Sequence, residues 1–207
     1  EILRCLVGSE MCIRDSIRAS CDRAKRKDVT REDFLRTLDV IDEQADNMSL
    51  LVNHLLSLTR LQQGTERYPL AEGDVSDLVR EVCEDYMPED RRGISVHTDI
   101  ADGICARYNA QLFASLVQNL LQNAYRYGNE GGNIWLTLRR ADGRMKLTVR
   151  DDGIGIAPDE QDKIWQRFWQ ADASRSENSG SGLGLPLVKE IAELHGGSVS
   201  VESAPGS

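Results

Sequence analysis

Between Phe34 and Thr59 the apolar and small residues fall alternately four and three apart, at Phe34, Leu38, Ile41, Ala45, Met48, Val52, Leu55 and Thr59. That spacing is the seam of a coiled coil or helical bundle. Leu35, Leu51 and Leu58 widen the stripe. The capping box Thr30-Arg-Glu-Asp33 opens this helix, and residues 17–27 before it read as a first helix, so a helical hairpin is expected. A helix of about 30 residues is roughly 45 Å long, too long for one short partner to cover its apolar face. Pairing of two hairpins into a four-helix bundle covers it most simply. A monomeric hairpin folded against the downstream residues is the alternative.

Gln62-Gln63-Gly64-Thr65 ends the helix with a C-cap glycine, which places a domain boundary between Leu61 and Tyr68. Beyond it the texture becomes mixed α and β. Asp74 to Tyr86 reads as an amphipathic helix, Ile94 to Thr98 and Ile104 to Arg107 as short strands, and Asn109 to Gly128 as a long helix. Ile134, Leu136 and Leu138 alternate with polar neighbours, as do Leu147 and Val149, and Ala141-Asp-Gly143 joins the two runs as a hairpin. An α/β sandwich with helices on one face of a partly antiparallel sheet follows.

A formal charge of -9, from 34 acidic and 25 basic residues, argues against a nucleic-acid surface. The largest basic run, Arg23 to Lys27, reads as a solvated helix end. Five cysteines, Cys5, Cys12, Cys21, Cys83 and Cys105, contain no C-x-x-C pair, which argues against a disulfide framework or a zinc site and for a reducing setting. No apolar run approaches the roughly 20 residues that cross a bilayer. The tract Cys5 to Ser16, CLVGSEMCIRDS, is similar to adapter sequence read as protein in conceptual translations, and residues 1–16 are set aside from fold reasoning.

Three clusters carry chemistry. On the long helix, Leu112, Phe113, Leu116, Leu120 and Ala124 form the core stripe, and Asn119, Asn123, Arg126 and Tyr127 share an adjoining face. Amide oxygens one turn apart can complete a magnesium shell and Arg126 can meet phosphate, although a merely polar helix face has the same composition. Asp151, in Arg150-Asp-Asp-Gly153-Ile-Gly155, can accept from an exocyclic amine while the glycines admit a ring; alternatively the segment is a tight turn. Gly180-Ser-Gly182-Leu183-Gly184 opens a helical run and offers backbone N–H groups to phosphate, a flexible linker being the other reading. Ile164 to Phe168 followed by the polar stretch Asp172 to Ser179 fits a hydrophobic anchor and a nucleotide lid.

In order, N-L-L-Q-N-A-Y-R-Y-G, D-D-G-I-G-I, I-W-Q-R-F and G-S-G-L-G-L-P-L-V resemble the N, G1, F and G2 boxes of sensor histidine kinases, and His195-Gly-Gly197 resembles their closing helix. The resemblance implies a Bergerat-type ATPase sandwich behind a dimerisation hairpin. It implies Asn123 as magnesium ligand with Asn119 in support, Arg126 facing phosphate, Tyr127 near the adenine and Asp151 on its amino group. Gly153, Gly155, Phe168, Gly180, Gly182, Leu183 and Gly184 would shape the ATP pocket and lid. Residues 17–63 would form the dimerisation and phosphotransfer hairpin and residues 68–207 the catalytic domain.

Two departures from the pattern are visible. The family's phosphoacceptor motif, resembling S-H-E-L-R-T-P-L, is missing, and alignment puts its histidine near Gly8. His54, His97 and His195 read as structural. Val201 to Ser207 resembles the approach to a final strand that is absent, leaving one sheet edge unpaired. The activity implied is phosphoryl transfer from magnesium ATP to a histidine and on to a response-regulator aspartate, in a homodimer. The chain would then be the cytoplasmic portion of a bacterial inner-membrane protein, binding ATP without phosphorylating itself. A serine kinase of the same fold and a non-catalytic ATP-binding scaffold are the rival readings.

Overall fold

The computed structural model describes residues 17–25, 30–63, 68–86, 92–170 and 182–204. Helix α1 spans residues 17–24 and α2 spans Arg31–Gln63 without interruption. The capping box forms as expected: the Asp33 backbone N–H donates to Thr30 Oγ1 at 3.1 Å, and the Asp33 carboxylate accepts from the Thr30 hydroxyl at 2.6 Å. The Thr30 hydroxyl and the Thr30 backbone N–H, both donating to it, hold the Asp33 carboxyl below its ordinary range. Gly64, the expected C-cap, lies outside the described residues. In the single chain the seam residues Phe34, Leu38, Met48 and Val52 are exposed.

The remaining described elements are β1 (Ala71–Asp74), α3 (Val75–Asp85), β2 (Ser95–Ile100), β3 (Cys105–Tyr108), α4 (Ala110–Tyr127), β4 (Asn133–Ala141), β5 (Arg144–Asp151) and α5 (Gly184–Leu194). β1 and β3 pair antiparallel from Ala71 opposite Tyr108 to Asp74 opposite Cys105. A second sheet has the order β2-β4-β5, with β2 parallel and β5 antiparallel to β4. The β4–β5 hairpin closes through Asp142 and Gly143, both at positive φ (52° and 73°), the conformation that matches the twist of the flanking strands.

Strand alternation does what the sequence implies. Ile134, Leu136 and Leu138 of β4 are buried under the helices, while Trp135, Thr137 and Arg139 face the other way. Val75 and Val79 of α3, Val117 and Leu121 of α4, and Leu187 and Ile191 of α5 complete the same core. One expectation is corrected: Leu120 is only half-buried, and Val117 and Leu121 take the central places beside Leu116. The sheet lies slightly around the helix from the stripe that spacing alone suggests.

β1 carries no β-branched residue, and its sequence Ala-Glu-Gly-Asp gives no strand signal. It exists because Asp74 is the N-cap of α3, accepting from the N–H groups of Ser76 and Asp77, and because Tyr108 donates its hydroxyl to the Asp74 carbonyl. Buried Ser76 fixes the other side of this corner. Its hydroxyl donates to the Ala101 carbonyl at 2.7 Å and accepts from the Ile104 N–H at 3.0 Å. Burial pushes the Cys83 thiol up to about 11, so it behaves as a small core side chain. Among the described residues Cys21, Cys83 and Cys105 are free thiols. No described helix is long and apolar enough to cross a membrane.

Candidate functional site

Helix α4 is the floor of the site. Asn109 caps it, accepting from the Leu112 N–H at 3.1 Å, and the helix then carries Asn119, Asn123, Arg126 and Tyr127 toward its far end. Asn119 is buried and donates its amide to the Ser115 carbonyl at 2.7 Å, which fixes the direction of its oxygen. That oxygen faces α5: a Cβ placed on Gly184 would lie 2.9 Å from Asn119 Oδ1 and 3.7 Å from Asn123 Nδ2. Gly184 is therefore glycine because α5 starts directly against the two asparagines.

The amide nitrogen Nδ2 of Asn123 is buried and has no hydrogen-bond partner. A buried amide left unpaired costs on the order of 1–3 kcal/mol, a penalty that a ligand at this position would remove. Rotation of the terminal amide presents either nitrogen or oxygen at one place. The donor set, neutral amide oxygens without a cluster of three carboxylate, histidine or cysteine ligands among the described residues, suits a hard cation that keeps water and phosphate oxygens in its shell. The residues fit magnesium on that ground.

The loop after β5 rides on the C-terminal end of α4. Ile154 donates its N–H to the Tyr127 carbonyl at 3.2 Å, and a Cβ on Gly153 would fall 2.1 Å from that same oxygen, so no other residue fits there. Gly155, at φ 69°, carries the chain away. Asp151 sits at the strand end, half-buried, and accepts from the Gly153 N–H at 3.0 Å. Burial raises its carboxyl above the ordinary value, the Gly153 bond opposes this, and the Asp152 charge adds to the rise. Such a carboxylate gains most from a hydrogen-bond donor brought by a ligand.

Sequence reasoning missed what holds this loop. Asp152 accepts from the Asn133 N–H at 2.9 Å and from the Asn133 amide at 3.0 Å, while Asn129 donates to the Asp152 carbonyl. Hydrogen bonds from Asn133 hold the Asp152 carboxyl below its usual range. Arg92 closes the other side, its guanidinium donating to the carbonyls of Tyr125, Arg126 and Gly128 at the negative end of α4. The adjacent carboxylates Asp151 and Asp152 offered a signal, but which of them bonds to Asn133 and which to the Gly153 N–H depends on β4 being alongside.

Phe168 has a positive φ of 62° and donates its N–H to the Gly182 carbonyl at 2.8 Å. Gly182, at φ 66°, lies so close that an added Cβ would be 2.8 Å from Phe168 Cα. This contact joins the phenylalanine segment to the turn before α5, where Leu183 is fully buried and no side chain caps the helix. The backbone end of α5 beside Asn119 thus offers a positive dipole end without a carboxylate of its own. Arg126 is half-buried and Tyr127 exposed. Gly180 and the stretch Asp172 to Ser179 lie outside the described residues.

Of the histidines, His97 stacks on Trp135 at 5.8 Å and meets Asn133 Oδ1 at 2.9 Å, and His195 bonds to α4 and α5, so both have structural partners. The side chain of His54 is outside the description.

Residues 108–207 match the family described as histidine kinase-, DNA gyrase B-, and HSP90-like ATPase. The chain is 35% identical over 171 residues to the alginate biosynthesis sensor protein KinB of Pseudomonas aeruginosa, covering 82% of this chain and 28% of that protein. It is 32% identical over 208 residues to the sensor-like histidine kinase SenX3 of Mycobacterium tuberculosis, covering 99% of this chain and 49% of that one. The chain thus spans half or less of the length of these relatives. Among solved structures, full-length ShkA in complex with AMPPNP superposes with a TM-score of 0.69 at 26% identity, covering 99% of this chain and 43% of that one.

Proposed function

From a chain that belongs to the sensor histidine kinases and carries their ATPase domain at residues 108–207, we propose an activity: transfer of the ATP γ-phosphoryl group to a protein histidine, then to a response-regulator aspartate. In the first step an N–P bond forms at the histidine as the bond to the β-phosphate oxygen breaks, releasing ADP. Little covalent chemistry falls to the ATPase domain, whose residues act by positioning and charge neutralisation.

The observation that carries this reading is the buried, unpartnered amide nitrogen of Asn123 facing the start of α5. Asn123 would hold magnesium, with Asn119 in support; the bound cation supplies charge neutralisation of the triphosphate. Arg126 would meet phosphate, the uncapped start of α5 at Gly182, Leu183 and Gly184 would offer N–H groups to it, and Gly180 is assigned with them. Asp151 would accept from the adenine amino group, with Gly153 and Gly155 admitting the ring, Tyr127 beside it and Phe168 anchoring the turn. Residues 17–63 would form the dimerisation and phosphotransfer hairpin, its exposed seam residues covered by a second copy, and residues 68–207 the catalytic domain. A receiver domain would dock on that bundle, and the whole protein would sit in the bacterial inner membrane with this portion in the cytoplasm.

Calorimetric titration with ATP, with and without magnesium, tests the site. Binding should be lost with Asp151→Ala, and its magnesium dependence should disappear with Asn123→Ala. A folded chain that binds no ATP would overturn the kinase reading in favour of a scaffold.

A further inference from the structure

The end of the α4–α5 pair remote from the nucleotide site carries an unusual joint. The His195 ring stands between two helix ends of opposite polarity: it follows α5 as its C-cap, and it meets Asn109, the N-cap of α4. Its Nε2 receives the Asn109 N–H at 3.0 Å, and its Nδ1 lies 2.7 Å from the Ile191 carbonyl. A peptide N–H can only donate and a carbonyl can only accept, so both bonds together require a neutral ring with its proton on Nδ1. Phe113 packs edge-on against the ring at 6.2 Å.

We propose that His195 is a positioning residue for the nucleotide site, a joint between α4 and α5 that protonation opens. This rests on the nucleotide reading above. An imidazolium keeps the bond to Ile191 but turns a second N–H toward the Asn109 N–H, beside the positive end of the α4 dipole. The bond to α4 is lost while the bond to α5 is kept, so the ring stays with α5 and separates from α4. At the other end of α5, about 16 Å away for 11 residues, Gly184 abuts Asn119 and Asn123. A short rigid helix fixed at both ends transmits release of one end to the other.

Among the described residues His195 makes no ion pair. Tyr108 on β3 directs its hydroxyl to the Asp74 carbonyl, and on α5 Lys189 pairs with Glu193 while Glu190 accepts from Arg167. The first turns of α4, from Ala110 to Ser115, contain no titratable side chain.

The test uses the full chain at pH 7.5 and pH 5.5, with His195→Gln and His195→Phe. The glutamine amide oxygen can replace Nε2 as acceptor and does not titrate. Magnesium ATP affinity of the unaltered chain should fall roughly five- to tenfold more than that of His195→Gln over this step, the effect of one hydrogen bond. His195→Phe should bind weakly at both values. By NMR, the Asn109 amide should lose its exchange protection at pH 5.5, and the Gly184 amide resonance should shift with it, in the unaltered chain and not in His195→Gln. The same pH dependence in both proteins, or a Gly184 resonance that ignores His195, would overturn the joint. Absence of ATP binding at pH 7.5 would instead sink the nucleotide reading, and the Asn109 and Gly184 resonances would still decide whether the joint exists.

Discussion

Helices α2 and α4 are both long, both capped as their sequences imply and both striped with apolar residues, yet their stripes meet different fates. On α4, which packs against α5, α3 and β5, Val117 and Leu121 are 0% and 1% exposed. On α2, Phe34, Leu38 and Val52 remain 48%, 46% and 49% exposed. The contrast separates two requirements that periodicity alone merges. An apolar stripe specifies a helix and a face, but burial needs a partner, which the α4 stripe finds within its own chain and the described α2 residues Phe34, Leu38 and Val52 do not.

The sharpest way to break this comparison is in the α4 core. Leu121→Ala should cost about 2–5 kcal/mol in urea unfolding, since the side chain leaves a cavity walled by rigid neighbours. A cost below about 1 kcal/mol would mean that α4 is no better covered than α2. The complementary change is Leu38→Asp with Val52→Asp on α2. It should weaken self-association by at least about a hundredfold in sedimentation velocity, because charges cannot be buried in a bundle seam, and leave the unfolding midpoint of the α/β layer in place. An unchanged association constant would assign the seam to another occupant.

A smaller effect probes the end of β5, beside α4. Burial raises the Asp151 carboxyl, so its folded pKa exceeds its unfolded one. Its contribution to stability is present below the unfolded value and lost as pH rises through the folded value. At neutral pH the charged form therefore weighs against folding, and Asp151→Asn should raise the melting temperature of the nucleotide-free chain slightly, with the gain shrinking toward acid. A lower melting temperature for Asp151→Asn at neutral pH would mean that the charged carboxylate stabilises the loop instead.

Much of this molecule was legible before any coordinates. Short-range rules locate the elements: Thr30 and Asp33 close a capping box, Asn109 and Gly128 bracket α4, and Asp142-Gly143 turns the hairpin. The glycine positions were legible too, though their reasons were not. Gly153 and Gly184 are confined by Tyr127 and Asn119, which lie far away in sequence. β1 was illegible because its four residues have no strand propensity and are held by Tyr108 and by the cap of α3. Leu120 and Leu121 exchanged roles because the direction of the sheet, not the helix period, decides which neighbour is central.

What the sequence alone determined is therefore local and chemical: where helices start and stop, which residues are small enough for tight turns, and which amides and carboxylates recur at ligand-binding spacing. Only the tertiary structure decided which of those groups meet. It turned the buried amide nitrogen of Asn123 toward α5, gave Asp152 to Asn133 and Asp151 to the Gly153 N–H, and set His195 between two helix ends. Hydrogen-bond partners more than a few residues apart are chosen by how the layers pack, and one-dimensional spacing carries no information about that choice.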